Sequence, residues 1–223
     1  MAAIVIAFAQ RKGGAGKTTL AAHLAVRFAS VGHAVGLIDT DPQGSLTNWY
    51  QRREVRLGAG KADIGFAATT GWRTPGAILR ESRDREILLV DTPASADGDV
   101  RVTIRAADLI VVPVQPSPVD VWATLSTLQV AQQERVPALL VLNRVPARAC
   151  LTAAMRERLA AYDVGLASIS IGNRVALAGA FAEGFGITET AASSPAAEEI
   201  AALAQTILDL LPPEALVSPK SAA

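Results

Sequence analysis

Short apolar runs rich in Val and Ile recur along the chain, and helical patterns separate them. The predicted strands cover residues 4–9, 35–39, 87–91, 109–114, 138–143 and 166–171, with a weaker one at 64–68. The predicted helices cover residues 17–30, 44–52, 75–83, 97–106, 118–134, 149–161, 174–182 and 195–211. Continuously apolar strands that alternate with helices are typical of a parallel sheet buried on both faces. The sequence therefore predicts an α/β fold, a doubly wound, mostly parallel sheet with helices on both faces.

Length and composition indicate a single folded domain. The chain has 223 residues, of which 50% are apolar and 19% are charged, and this is enough apolar material for a large core. No internal repeat or long linker divides it. We expect one domain over residues 1–211 and a flexible tail over 212–223, where Pro, Ser and Ala predominate.

Three features favour a cytoplasmic protein. No apolar run is long enough for a membrane-spanning helix. At the start of the chain the positive charge follows the apolar run, which is the reverse of a signal peptide. Cys150 is the only cysteine, which excludes an intramolecular disulfide and fits a reducing compartment.

A glycine-rich segment, KGGAGKTT at residues 12–19, follows the first predicted strand and opens the first predicted helix. A phosphate-binding loop requires this context, because backbone N–H groups and the helix N-terminus together hold the phosphates. Lys17 would reach the β- and γ-phosphates, and the Thr18 hydroxyl would ligate Mg²⁺. We predict ATP and Mg²⁺ as cofactors. The predicted nucleotide contacts are Gly13, Gly14, Ala15, Gly16, Lys17, Thr18 and Thr19.

Acidic residues follow two further predicted strands. Asp39 and Asp41 come at and just beyond the end of the strand at 35–39, and Asp91 ends the strand at 87–91. Ligands of open parallel sheets bind beyond the carboxyl ends of strands. We therefore predict that Asp39 and Asp91 hold Mg²⁺ through water and that Asp41 orients the attacking water. As an alternative, the first two acids merely cap the next helix.

Two segments are candidates for contacts with the base. The run from Val112 to Asp120 is rich in proline, which fixes an extended turn with few free donors, and Pro116 in this turn would form a flat wall. Asn143 offers an amide able to pair with an adenine edge. Both features are equally consistent with residues that simply end a strand and have no role in binding.

Charge is unevenly distributed although its sum is zero. Residues 135–174 hold six arginines against Glu157 and Asp163, whereas residues 175–223 hold six acids against Lys220 alone. A basic segment of this kind indicates a surface that faces a polyanion, with Arg144 and Arg174 as candidate contacts. A solvated arginine-rich face explains the same charge pattern.

Lys12 places a second lysine in the phosphate loop, and the whole chain has only four. With it the loop resembles the deviant Walker A box of the ParA/MinD superfamily. The resemblance covers nearly the whole chain and is nearest to the short, ParF-like partition ATPases. It is carried by KGGAGKTT, LIDTDPQGSLTNWY, LLVDTP, DLIVVPVQPSPVDVWAT, LNR and the stretch at 171–189.

The resemblance implies a slow ATPase that works as a dimerisation switch. Lys12 would be the signature lysine that crosses the dimer interface, and Lys17 and Asp41 would be the other catalytic residues. The ATP-bound homodimer would bind non-specific DNA on the nucleoid, and a ParB-like or other adaptor would stimulate hydrolysis. The cargo would be a plasmid, a chromosome origin or a protein assembly. Arg174 matches a position at which relatives contact DNA, whereas Gln10 stands where the family usually has Asn.

Two other functions remain open at this point. A MinD-like positioning ATPase would bind the membrane through a basic amphipathic C-terminal helix, but the final residues, LLPPEALVSPKSAA, are neither basic nor helical in pattern. A metabolic ligase of the dethiobiotin synthetase kind would generally lack the DPQG segment. We therefore expect no membrane partner.

Overall fold

A computed structural model describes residues 3–58, 63–94, 98–148 and 151–211. Cys150 and the tail predicted to be flexible lie outside these residues. Seven strands form one sheet in the order β3-β2-β4-β1-β5-β6-β7, and every pairing between them is parallel. They are β1 Ile4–Phe8, β2 Val35–Asp39, β3 Ile64–Ala68, β4 Ile87–Asp91, β5 Leu109–Val114, β6 Ala138–Leu142 and β7 Gly165–Leu166. The predicted fold class is confirmed.

Helices cover both faces of the sheet. They are α1 Lys17–Ser30, α2 Ser45–Leu57, α3 Thr74–Glu81, α4 Gly98–Arg105, α5 Pro118–Glu134, α6 Leu151–Ala160, α7 Val175–Ala182, α8 Ile187–Thr190 and α9 Pro195–Leu210, with a 3₁₀ turn at Gly71–Arg73 before α3. Helices α1, α2, α7, α8 and α9 pack on one face, and α3 to α6 pack on the other. No helix in the described ranges has the length and apolar character needed to cross a membrane.

The continuous apolar runs are explained by burial on both sides. In β1, Ile4, Ile6 and Phe8 pack into the core beneath α1 and α9, whereas Val5 and Ala7 pack into the opposite core against α3. All five residues of β1 are buried. Because successive side chains of a strand point to opposite faces, a strand covered on both faces has no polar position to reveal its period.

One predicted strand is wrong. The run at 166–171 forms a strand only at Gly165–Leu166, and the chain then leaves the ladder. The Arg156 side chain of α6 donates to the Ala167 carbonyl oxygen (2.9 Å) and to the Ser170 hydroxyl (2.7 Å). Backbone hydrogen bonds to β6 continue from the N–H groups of Ala167 and Ile171, which donate to the carbonyl oxygens of Leu140 (2.9 Å) and Leu142 (2.8 Å). Between these two contacts, a side chain from a neighbouring helix takes the place of a sheet partner.

Helix α2 extends five residues beyond its predicted end at 52, and the short helix α8 was not predicted. The second half of α2 is strongly polar, which obscured its helical pattern. It is held by Arg53, whose side chain is 1% exposed. Arg53 donates to both carboxylate oxygens of Glu189 (2.9 and 2.8 Å) and to Asp63 (2.9 Å), and its guanidinium lies 5.7 Å from the Trp49 ring centroid. Glu189 in turn accepts from the Gly186 N–H (2.7 Å) at the start of α8.

Replacing Arg53 tests how much this buried arginine stabilises the fold. Arg53→Ala should lower the free energy of unfolding by about 3 kcal/mol, because it removes a buried side chain that packs on Trp49 and donates charge-assisted hydrogen bonds to two acids. Arg56→Ala is the matched control on the same helix. Its ion pair with Glu183 is half exposed on both sides, so its loss should cost about 0–1 kcal/mol. Urea unfolding of the three proteins measures both values, and equal losses would contradict the argument.

Candidate functional site

The phosphate loop joins β1 to α1 in a conformation that glycine permits. Gly14 and Gly16 have φ angles of 77° and 96°, in the left-handed region. A Cβ at Gly16 would also lie 2.3 Å from the Asn143 side-chain nitrogen, so no larger residue fits there. Gly16 is the N-cap of α1, and the helix N-terminus therefore points into the loop without a side-chain cap. Free backbone N–H groups at this place form a site for phosphate.

Lys17 supplies the positive charge of the loop. It is 6% exposed, and its Nζ donates to the Gln10 backbone carbonyl (3.2 Å). Burial lowers the pKa of Lys17, and the nearby Asp91 and Asp41 carboxylates oppose that shift. A buried ammonium with a lowered pKa gains stability from an anion placed against it.

Strand register brings the acids together beside this loop. Asp39 of β2 and Asp91 of β4 are direct partners in the ladder, and Asp91 is also level with Phe8 at the end of β1. Thr18 Oγ1 donates to Asp91 Oδ2 (2.7 Å). Three residues predicted around Mg²⁺ therefore lie at one edge of the sheet, as expected for the carboxyl ends of parallel strands.

Asp91 fits a cation. It is fully buried, and its Oδ1 has no hydrogen-bond partner among the described residues. Burial raises the pKa of Asp91 to about 7, the Thr18 hydrogen bond lowers it, and the neighbouring Asp39 raises it further. A buried carboxylate oxygen without a donor, next to a second acid, is stabilised by a bound metal. The oxygen ligands of Thr18, Asp39 and Asp91 suit Mg²⁺.

Asp39 also has the capping role that the sequence left open. Its Oδ2 accepts from the N–H (2.8 Å) and the hydroxyl (2.6 Å) of Thr47, in the first turn of α2. Its Oδ1 accepts from the Asp41 N–H (3.1 Å). The cap and the site are one feature, because α2 and the Asp41 loop are both fixed by the carboxylate that faces Asp91.

Asp41 lines an open cleft of about 490 Å³ beyond the end of β2. Its Oδ1 accepts from the Gln43 N–H (2.9 Å), and the residue is half-buried. The opposite side of the cleft comes from the turn after β3 and from the start of α4, which carries Asp99. Sequence reasoning did not identify this wall, since nothing in a threonine–glycine turn distinguishes it from any other turn.

Lys12 forms an ion pair within the chain. Its Nζ lies 2.6 Å from Asp120 Oδ2, with the lysine side chain 38% exposed and the aspartate side chain 3% exposed. Ser117 Oγ donates to the same Oδ2, and Asp120 Oδ1 has no partner in the described part of the chain. Asp120 was not predicted as a site residue, because 108 positions separate it from Lys12.

The residues predicted to contact the base lie against the phosphate loop. Asn143 Nδ2 donates to the Ala15 carbonyl (2.7 Å), which engages one of its two N–H groups. Gln115, next to Pro116, donates to the Gly14 carbonyl (3.1 Å). Both contacts brace the loop from the ends of β5 and β6. Base contacts from Asn143 and Pro116 stay predictions.

The two arginines predicted to contact DNA have different surroundings. Arg144 has a φ of 54°, and its Nε would lie 3.8 Å from a Cβ at Gly16, so it borders the phosphate loop. Arg174 pairs with Glu199, whose hydrogen bond raises the pKa of the arginine. The arginine excess in the sequence is thus reduced on the folded surface.

The CobQ/CobB/MinD/ParA nucleotide-binding domain family matches residues 6–187. The chain belongs to this family. A maintenance of carboxysome distribution protein A from Halothiobacillus neapolitanus is 31% identical over 207 residues, which are 89% of this chain and 93% of that protein. ATP with Mg²⁺ is the cofactor pair of these P-loop proteins, and the prediction of both is confirmed.

Solved structures share the fold. A plasmid partition protein from Borrelia burgdorferi bound to AMPPNP is 17% identical with a TM-score of 0.76, covering 94% of this chain and 100% of that one. The septum site-determining protein MinD from Pyrococcus horikoshii complexed with Mg-ADP is 18% identical with a TM-score of 0.76, covering 92% and 96%. At such identities the fold does not separate a partition protein from a MinD.

Lys17→Ala should weaken ATP binding by about 100-fold or more, because it removes the buried cation of the loop. Lys12→Ala is the control from the same loop and should keep nearly normal affinity, since its ammonium is paired with Asp120. Calorimetric titration with ATP and Mg²⁺ measures both. Unchanged affinity in the Lys17 variant would refute the assignment of the phosphate loop.

Proposed function

We propose that this protein is an ATP-gated positioning switch. It forms an ATP-bound homodimer, binds non-specific DNA on the nucleoid and moves or spaces a cargo, and slow hydrolysis resets it. Family membership and the carboxysome-distribution relative support this assignment. An adaptor protein accelerates the hydrolysis. The cargo is a plasmid, a chromosome origin or a protein assembly.

The observation that carries the proposal is the position of Lys12. Lys17 already gives the loop a buried ammonium, so the loop would not need a second lysine for one nucleotide. Lys12 stays partly exposed and is held by a single ion pair with Asp120. Such a lysine is free to exchange one anionic partner for another, whereas its release leaves Asp120 with only the Ser117 hydroxyl. We infer that the phosphates of a nucleotide in the partner subunit attract Lys12 from Asp120.

The surroundings of Lys12 suit a protein interface. Beside Asp120, the first turn of α5 exposes Val119 (56%) and Trp122 (62%). Exposed aromatic and apolar side chains are characteristic of surfaces that become buried on association. ATP would therefore control the dimer through charge, and apolar contact would add to its stability.

Hydrolysis requires a water molecule aligned with the γ-phosphate. Asp41 and Asp99 both line the open cleft, but of these two acids Asp41 is the one whose charge acts on Lys17, so we assign it the role of orienting that water. Mg²⁺, held at Thr18, Asp39 and Asp91, would neutralise charge on the phosphates when bound. The cleft is wide enough for solvent to enter, and an adaptor that closes it would accelerate turnover.

Two variants separate dimerisation from hydrolysis. Lys12→Ala should bind ATP but stay monomeric, because nothing then crosses to the partner's phosphates. Asp41→Ala should do the opposite and accumulate as a long-lived ATP dimer, because binding survives while water activation is lost. Light scattering after size exclusion, with ATP and with ADP, measures both. A Lys12→Ala protein that dimerises normally with ATP would refute the cross-interface role.

DNA binding is proposed from the basic residues at 135–174. Contacts from Arg144 and Arg174 would go to phosphates and would carry no sequence preference. A dimer presents each surface twice, so a weak monomer surface becomes a bivalent one whose affinity depends on ATP. Arg174 has to exchange Glu199 for a phosphate, and this makes Glu199 a built-in competitor of DNA.

The Arg174–Glu199 pair gives a test in two directions. Arg174→Glu should weaken binding to all DNA sequences alike. Glu199→Gln should strengthen it, because the amide oxygen still accepts from the Gly172 N–H while the competing charge is gone. Fluorescence anisotropy with duplexes of two sequences measures both, and log affinity should fall with log salt by about 0.9 per phosphate contact. Equal binding without ATP, or binding indifferent to salt, would contradict the gated mechanism.

A further inference from the structure

An exposed surface of mixed apolar and basic character lies on the 3₁₀ turn after β3 and on α3. Trp72 and Leu79 are 68% and 70% exposed, whereas Gly71, Thr74, Ala77 and Ile78 on the inner side are buried. The outward residues recur at helical spacing and so form one face. We name this face the Trp72 surface; its residues are Trp72, Arg73, Pro75, Leu79, Arg80 and Arg83.

We propose that the Trp72 surface binds an acidic, amphipathic segment of a partner protein. This inference is independent of the nucleotide switch, since none of its residues lies in the phosphate loop or at the acidic strand ends. It concerns the residues that directly follow Thr70 and Gly71, which line the Asp41 cleft.

The charges of the surface favour an acidic ligand. Arg73 and Arg83 form no ion pair with the described residues, and only Arg80 has an acidic neighbour, Glu81 (3.2 Å). The Arg73 guanidinium lies 4.9 Å from the Trp72 ring centroid, so the two side chains form one stacked platform. Guanidinium groups bind carboxylates in a bidentate manner, and an aromatic platform beside them holds an apolar side chain.

The apolar residues distinguish a peptide from other polyanions. DNA phosphates would pair with the arginines but would leave Trp72 and Leu79 without an apolar partner. A membrane surface would be met by only two large apolar side chains, one on the 3₁₀ turn and one on a helix of 8 residues, a small area for stable insertion. A peptide that alternates acidic and apolar residues satisfies both parts of the surface together.

The position of the surface gives its occupancy a consequence. Thr70 and Gly71, immediately before Trp72, line the cleft that contains Asp41. A Cβ at Gly71 would overlap the Asp99 carboxylate, so the turn is packed directly against α4, which belongs to the same side of the cleft. A partner bound at Trp72 therefore contacts the element that forms the cleft wall.

Trp72 and Trp122 provide matched fluorescent reporters of binding, because both are exposed to a similar degree. The third tryptophan, Trp49, is buried. Trp122→Phe leaves Trp72 as the exposed fluorophore, and Trp72→Phe leaves Trp122. The probe is a random copolymer of glutamate and tyrosine, added without nucleotide, and the readout is protection from acrylamide quenching. The copolymer should protect Trp72 and leave Trp122 accessible.

In the Trp122→Phe background, Arg73→Glu with Arg83→Glu, and separately Leu79→Ser, should each weaken binding by about tenfold. All of these positions are exposed, and circular dichroism checks that each variant folds.

Each other outcome overturns the proposal in a distinct way. Protection of Trp122 to the same degree would mean non-specific binding of the copolymer. Binding unaffected by Leu79→Ser would reduce the surface to simple charge attraction. Stronger protection by a DNA duplex or by phosphatidylglycerol vesicles would assign the surface to those ligands. Protection that rises with protein concentration alone would assign it to a second copy of this chain.

Discussion

The structure depends on a concentration of charge at the carboxyl ends of three neighbouring strands. Parallel register makes Asp39 and Asp91 direct neighbours, and β1 places the phosphate loop beside them. Lys17 is the cation buried among these acids, and burial works against its charge and against that of Asp91 alike. Bound phosphates and a metal ion supply the missing counter-charges. The protein alone is therefore incomplete at this edge, and nucleotide binding completes its electrostatics.

A second set of polar contacts keeps the elements around that edge in place. His23 of α1 is buried, accepts from the Ile187 N–H at Nδ1 (3.0 Å) and contacts the Leu177 carbonyl through Nε2 (3.1 Å). Burial lowers its pKa to about 4, so the ring is neutral and bridges two backbone groups. Arg53 connects α2 to Glu189 of the same α8 segment. Through α8, the helix that begins at the phosphate loop and the helix capped by Asp39 belong to one rigid unit.

The sequence predicted what local chemistry determines. Six strands were predicted from apolar runs, because a strand buried on both faces has an uninterrupted apolar sequence. The phosphate loop was predicted from the glycine–lysine–threonine pattern. The run at 166–171 failed because Arg156, a residue of another helix, decides its hydrogen bonding. The partner of Lys12 and the opposite side of the Asp41 cleft were beyond reach for the same reason. The side-chain contacts of Arg156 and Lys12 join different elements over separations of 11 to 108 residues, and no local pattern encodes which elements will meet.

Charge counted along the chain also differs from charge arranged in space. The acids after residue 175 include Glu183, Glu189 and Glu199, and each pairs with an arginine from an earlier element. Two of these arginines belong to α2. The acidic segment is therefore neutralised mainly by α2, which lies outside the basic segment at 135–174. Arg144, which borders the phosphate loop, has no ion pair among the described residues and keeps its positive charge there. A polyanion surface that adjoins the nucleotide would be altered by whatever occupies that loop, and this proximity would give ATP a direct electrostatic route to the DNA binding that we propose.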